Sequence, residues 1–415
     1  MTKRLISIPF FLLRTTTAGA ALLTGLLQTY VFAHVLSPQR FSIFILVAAF
    51  GYSLWLIDFG IVKILFVRLR ARFLAGDRSD AVAGHATAVT LFYFGLVSTG
   101  ALLCFAFMAT QTTASIREAT EFGLFFWFVA LNLVWFALRN ISIAVDEYVL
   151  FEALETVRRA GYFIGLAAVL FGLPLLAMLI ALNALWALVI AVCVRRLIAR
   201  GALRPYIRGF AADLARFFRA NKAQLIHSGT MAAADIYTGN YPYLIVPMLF
   251  GLGAPPIILD TTFKVYRGGS MIFGAVTDIL VPRQTSALAE RDGPTLVHAT
   301  VLAAALCALP AAIISAVLLL GADRLFAMLL GHAATMPPAT TPILIVLIFA
   351  NLMQMVCVSV LVHNGYFKDV ARLGVSVAVA MTAVGAYVML AHLDIVRFLQ
   401  GYTAVYACGA VASLV

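Results

Sequence analysis

Ionisable residues inside long apolar stretches carry the strongest chemical signal in this sequence. Arg14, Arg139, Lys264 and Arg267 fit no loop, and neither do Asp58, Asp235, Asp260 and Asp278. A charge at the centre of a membrane helix costs about 2.5–3.5 kcal/mol on insertion scales, so such residues normally face a cavity or a partner. Lys264 and Arg267 are three apart and share a helix face, with Asp260 one turn before Lys264. Two readings follow. The bases bind an anion, or Asp260 neutralises Lys264 and leaves Arg267 unpaired within this helix. Arg14, two turns into the first apolar stretch, is either an anion ligand or a side chain that reaches back to the headgroups. Asp235 lies near Tyr237 and Asn240. Like Asp58, it could titrate, bind a cation or pair with an arginine. Pro242 and Pro247 follow it and are expected to kink the helix and release backbone carbonyls, which suits a moving gate. Gly268-Gly269 beside Arg267 allows close helix approach.

No catalytic pattern accompanies these charges. The histidines are scattered, and HExxH, GxSxG and P-loop motifs are absent. Cys104, Cys193, Cys307, Cys357 and Cys408 form no CxxC pair and read as small apolar packing residues. The expectation is a protein that is not an enzyme, with no metal and no cofactor, whose only small co-ligand would be a coupling ion, H+ or Na+.

The elements that hold the charges follow from composition. The chain has 415 residues, 63% hydrophobic and 11% charged. A soluble domain carries about 25% charged residues. Lipid is the natural solvent for such a surface. Spanning helices of about 20 residues fit at 8–36, 41–64, 84–109, 122–145, 150–172, 174–194, 223–250, 256–281, 295–320, 339–362, 371–391 and 396–415. The fifth is the least apolar, because Glu152, Glu155, Arg158 and Arg159 crowd its start. The first reads as an uncleaved signal and anchor. The net charge of +11 reflects basic loops on one side, whereas the opposite loops hold only Arg40, Arg117, Arg324 and Arg397. By the positive-inside rule both ends lie in the cytoplasm, and nucleic-acid binding is not needed to explain the charge.

The longest polar stretch, 195–222, is basic. Phe210, Leu214, Phe217 and Phe218 keep roughly helical spacing among its arginines. It is expected to be a cytoplasmic linker with an amphipathic helix on the inner membrane face. It divides the chain into an N-lobe, 1–194, and a C-lobe, 223–415. Short turns at Leu36-Ser-Pro38 and Leu252-Gly-Ala-Pro-Pro256 follow a long first helix in each half. The expected fold class is therefore an all-α polytopic membrane protein. Its roughly twelve helices form two six-helix lobes related by a pseudo-two-fold axis along the membrane normal.

Several short segments resemble the polysaccharide flippases, the O-antigen and exopolysaccharide transporters of the multidrug/oligosaccharidyl-lipid/polysaccharide (MOP) exporter superfamily. They are Val31-Phe-Ala-His-Val-Leu-Ser-Pro-Gln-Arg-Phe-Ser-Ile-Phe44, Leu56-Ile-Asp-Phe-Gly60 with the basic run after it, Val281-Pro-Arg-Gln-Thr-Ser286, and Leu361-Val-His-Asn-Gly-Tyr366. Ser37 and Ser42 stand where that family has glycines, and His34 where it has arginine. The resemblance implies a central cavity that opens alternately to each side, lined by arginines of the first and eighth helices, here Arg14 and Arg267.

The function expected is a flippase moving an undecaprenyl diphosphate-linked oligosaccharide across a bacterial inner membrane, with Arg14, Lys264 and Arg267 on the diphosphate. Polymerase and other assembly proteins would be its partners. Two alternatives stand beside it: a multidrug cation antiporter of the same superfamily, and a multispanning glycosyltransferase or polysaccharide polymerase.

Overall fold

The computed structural model describes the backbone of residues 8–76, 80–205, 209–363 and 367–413. Within its helices, the side chains of 8–15, 17, 18, 80, 223, 224, 227, 228, 359, 362, 363, 367 and several between 275 and 289 lie outside the description. The described residues form thirteen α-helices and no strand. They are α1 (Ile8–Val35), α2 (Pro38–Ser53), α3 (Ile61–Leu74), α4 (Asp80–Gln111), α5 (Ile116–Ala144), α6 (Tyr148–Leu170), α7 (Leu175–Ala199), α8 (Phe210–Phe250), α9 (Ala254–Ala289), α10 (Gly293–Leu330), α11 (Thr340–His363), α12 (Phe367–Leu390) and α13 (Ile395–Ala412). Each expected span coincides with a helix, but the second is broken. Seven segments, among them Ile116–Ala144 and Leu175–Ala199, are long and apolar enough to cross a membrane on composition alone.

The break in the second span has a local cause. A 3-10 helix, Leu54–Asp58, ends on Phe59 and Gly60, whose φ angles of 40° and 76° are left-handed. Phe59 holds this angle against its own Cβ, while Gly60 takes it without strain. The Asp58 carboxylate accepts from the Gly60 and Val62 amides (3.2 and 3.1 Å) and from the Tyr93 hydroxyl (2.6 Å), so it starts α3 as a cap. Asp58→Ala is expected to destabilise the fold by about 2 kcal/mol, because buried donors lose their acceptor. Asp58→Asn, which keeps an acceptor, should cost less. Thermal unfolding in detergent measures both. If Asp58 instead couples an ion, Asp58→Asn would remove gradient-driven transport with little loss of stability.

Contacts divide the chain into two compact units, Leu46–Ile236, and Met1–Ile45 with Tyr237–Val415. These boundaries fall inside α2 and α8 and group the first helix with the second half of the chain, unlike the expected lobes 1–194 and 223–415.

In the unit Leu46–Ile236, α5 is the central helix and packs on α3, α4, α6 and α7. A capping box of Ser115 and Glu118 starts it. Its Trp135 meets Trp186 of α7 edge to face, with centroids 5.5 Å apart. Three of the four charges at the start of α6 are joined, as Glu155 accepts from Arg158 and Arg159, and also from Trp135. The region 195–222 is not a separate surface helix. α7 runs on to Ala199, and α8 continues unbroken from Phe210 through the next span. Phe217 is fully buried against His85 and Phe218 lies near Phe92, so α4 covers the face expected to meet lipid. Gly84 on α4 permits this approach, since a Cβ there would stand 2.6 Å from Arg204 Nη1.

In the other unit, α9 is central and packs on α1, α10 and α11, while α13 packs on α11 and α12. The apolar core includes Phe273, Cys307, Phe326, Leu344 and Ile348. Ser42 Oγ donates to the Gly253 carbonyl (2.7 Å) and accepts from its amide (2.9 Å), which ties the two short turns to each other. This serine stands at a position where the resembled family has glycine. All five cysteines are free thiols.

Candidate functional site

The spacing of Asp260, Phe263, Lys264 and Arg267 on α9 sets these side chains on one helix face. Lys264 Nζ lies 2.7 Å from Asp260 Oδ2 and donates to Thr29 Oγ1 of α1 at 3.0 Å. The pair is largely out of solvent, with side chains 18% and 9% exposed. The Tyr243 hydroxyl donates to the other Asp260 oxygen at 3.4 Å. Of the two readings open for Lys264, the geometry therefore realises the ion pair. α1 approaches α9 closely at Gly268, where a Cβ would stand 2.2 Å from Leu22 Cδ1.

Arg267 is met from α8. Proline has no N–H, so Pro242 leaves the carbonyl four residues before it, that of Thr238, without its helical donor. The Tyr402 hydroxyl donates to that oxygen at 3.4 Å. Arg267 Nη2 donates to the neighbouring Gly239 carbonyl at 2.7 Å. The Arg267 guanidinium carbon also sits 5.1 Å from the Tyr243 ring centre and 5.8 Å from that of Phe263, within cation–π range. α8 stays helical through both Pro242 and Pro247. The function of Pro242 visible here is to present the Thr238 carbonyl to α13.

Beside this cluster runs a tyrosine network that the charge pattern of the sequence does not point to. The Tyr266 hydroxyl donates to that of Tyr406 (2.8 Å), which donates to Asn351 Oδ1 (3.3 Å), while Asn351 Nδ2 donates to Ser270 Oγ (2.7 Å). Tyr402 stacks on Tyr406 and tilts on Phe263. The i, i+4 spacing of Tyr402 and Tyr406 was the available signal; the polar partners come from α9 and α11.

The structure thus brings Asp260, Lys264 and Arg267 together in one unit. Arg14 lies on α1 with its side chain outside the described residues. Asp58 and Asp235 belong to the other unit, the first as a cap and the second exposed on α8. Asp278 and most side chains of the segments Val281–Ser286 and Leu361–Tyr366 also lie outside the described residues. Among the described residues, no cluster of His, Cys, Asp or Glu could hold a metal ion.

No protein-family model matches the sequence, and no curated protein is similar to it. Solved structures are similar in fold along almost the whole chain. An inward-facing multidrug resistance MATE family transporter of the MOP superfamily matches at 13% identity and TM-score 0.61, over 96% of this chain and 92% of its own. A eukaryotic MATE transporter matches at 13% identity and TM-score 0.65, over 97% and 92%. A MOP superfamily transporter from Pyrococcus furiosus, whose binding pocket is described as of reverse polarity suggesting a different function, matches at 12% identity and TM-score 0.60, over 97% and 93%. At such identities the likeness establishes the fold. The chain is an all-α, multi-pass membrane protein with the two-lobe fold of MOP-superfamily transporters.

Proposed function

We propose that this protein is a transporter that moves an amphipathic organic solute across the membrane by alternating access, as a gradient-coupled exporter. Full-length likeness to multidrug transporters of this fold carries the reading. The site is consistent with it. Lys264 is met by Asp260, Arg267 by a carbonyl and two rings, and stacked tyrosine rings pack beside them, so the site is not an open cluster of bare positive charge. Bound substrate would be held by stacking and by a few polar groups, and a change in which side is open would release it. Both termini would face the cytoplasm of a bacterial cell, by the distribution of arginine and lysine.

A second reading remains supported by one observation: α9 brings a guanidinium to the site, as the resemblance to polysaccharide flippases implies for Arg267. In that reading Arg267, with Arg14, grips the diphosphate of a lipid-linked oligosaccharide.

Proteoliposomes separate the two. The first reading expects a fluorescent organic cation such as ethidium to move when a proton or sodium gradient is imposed. Absence of that movement, together with translocation of a fluorescent undecaprenyl diphosphate oligosaccharide lost in both Arg14→Ala and Arg267→Ala, would replace it with the second.

A further inference from the structure

The unit Leu46–Ile236 contains a cavity of about 610 Å3 where the ends of α3 and α7 meet the α7–α8 connection. It lies away from the α9 site in sequence and belongs to the other unit. Leu69, Phe73 and Leu203 supply apolar wall, and Arg72, Arg200 and Arg204 supply charge. The volume is within the range of ordinary small-molecule sites, roughly 300–1,000 Å3.

Among the described residues, arginines exceed acids around it. Glu147, in the turn between α5 and α6, pairs with both Arg196 and Arg200. Burial raises the Glu147 carboxyl, but these two guanidiniums outweigh it and hold the group below its usual range, so it is ionised at neutral pH. Asp213 likewise meets both Arg204 (3.0 Å) and Arg216 (2.6 Å). Each carboxylate is thus shared by two arginines, and each cluster keeps one positive charge in excess. Arg72 adds another. Its Nη1 donates to the Gly201 carbonyl at 3.0 Å, in the turn just past the end of α7. Its Nε is buried and has no hydrogen-bond partner among the described residues. The turn after α7 thus accounts for one of the five donors of the Arg72 guanidinium, which lines the cavity. Its remaining donors leave Arg72 free to take a ligand oxygen as well.

We infer that this arginine-rimmed cavity binds a phosphate group, carried by an anionic lipid headgroup or free in solution. A phosphate oxygen suits a guanidinium, which presents its donors in a planar fork. The apolar wall beside the arginines would take the first carbons of a lipid's glycerol and acyl chains. Basic pockets between membrane helices are the kind of surface that anionic headgroups occupy.

The test uses the full-length protein in neutral detergent. Thermal unfolding is followed by tryptophan fluorescence during titration with short-chain phosphatidylglycerol, short-chain phosphatidylcholine or inorganic phosphate. Phosphatidylglycerol or phosphate is expected to raise the unfolding midpoint, and phosphatidylcholine is not. Arg72→Gln should weaken the apparent affinity about tenfold, the effect of one charge-assisted hydrogen bond. Ala199→Trp keeps every charge and fills the cavity from an exposed lining position; it should abolish the shift, and it carries the test alone if Arg72→Gln does not fold. A shift with inorganic phosphate as large as that with phosphatidylglycerol identifies a soluble ligand, and a shift with phosphatidylglycerol alone identifies the lipid. No shift with either, or an unchanged shift in both variants, overturns the inference.

Discussion

Glu155→Ala should unfold the protein more readily than almost any other single change in the unit Leu46–Ile236. Glu155 is 6% exposed. Its Oε2 accepts from Trp135 Nε1 (2.8 Å) and Arg158 Nε (2.8 Å), and its Oε1 from Arg158 Nη2 (2.7 Å) and Arg159 Nε (2.5 Å). Arg158 in turn lies over Trp186, 4.5 Å from the ring centre. Removing the carboxylate strands two neighbouring cations and an indole N–H at the centre of the unit. Breaking a buried pair from one side typically costs about 3–5 kcal/mol. The expected result is a lower unfolding temperature in detergent and less monodisperse protein on size exclusion. Combining Glu155→Ala with Arg158→Met should recover part of the loss, because one stranded charge goes with its partner. An unfolding temperature equal to that of the wild type would show that this hub does not hold α6 against α5.

The second large effect concerns the α9 pair and separates structure from transport. Asp260→Ala leaves the Lys264 ammonium, 18% exposed, with only the Thr29 hydroxyl as a polar partner among its described contacts. A destabilisation of about 3–5 kcal/mol is expected by the same logic. Lys264→Met alone leaves the Asp260 carboxylate with the long Tyr243 contact and should also destabilise. The double variant Asp260→Leu/Lys264→Met removes both charges and should fold nearly as well as the wild type, since replacing a buried ion pair by apolar groups is often neutral. Transport by the double variant decides what the pair does. Retained solute transport would make it a structural strut between α1, α8 and α9. A stable double variant without transport would make it part of the translocation machinery.

The spans were legible because they rest on composition: a helix must satisfy its own backbone in lipid, and about twenty apolar residues announce it. The same rule explains why α6 was the least apolar of them. Its four charged residues raise its polarity in a sequence scan, but Glu155 and Arg158 vanish into each other and against two tryptophans once α5 and α7 are in place. Periodicity suggested an amphipathic surface helix over Phe210–Phe218, yet it could not say that α4 would cover Phe217. The break after Asp58 was present in the sequence as Phe59-Gly60, but a single glycine does not distinguish a bend from a close packing point, and only the left-handed angles and three donors on Asp58 do.

At the α9 site the sequence by itself determined that Asp260, Lys264 and Arg267 share a face, because helical geometry is local and the spacing is enough. It left open whether the bases bind an anion or Lys264 is neutralised by Asp260. That choice belonged to the tertiary structure. It depended on Thr29 arriving from α1, on the Gly239 carbonyl of α8 reaching Arg267, and on the rings of Tyr243 and Phe263 standing beside the guanidinium. Each of these is a long-range arrangement of groups that attract charge, and an isolated helix carries no record of them. The cavity around Arg72 is the plainest case. Its arginines were visible in the sequence as loop charge that sets orientation, and only the fold gathers them around a shared space where, among the described residues, Glu147 and Asp213 do not balance them.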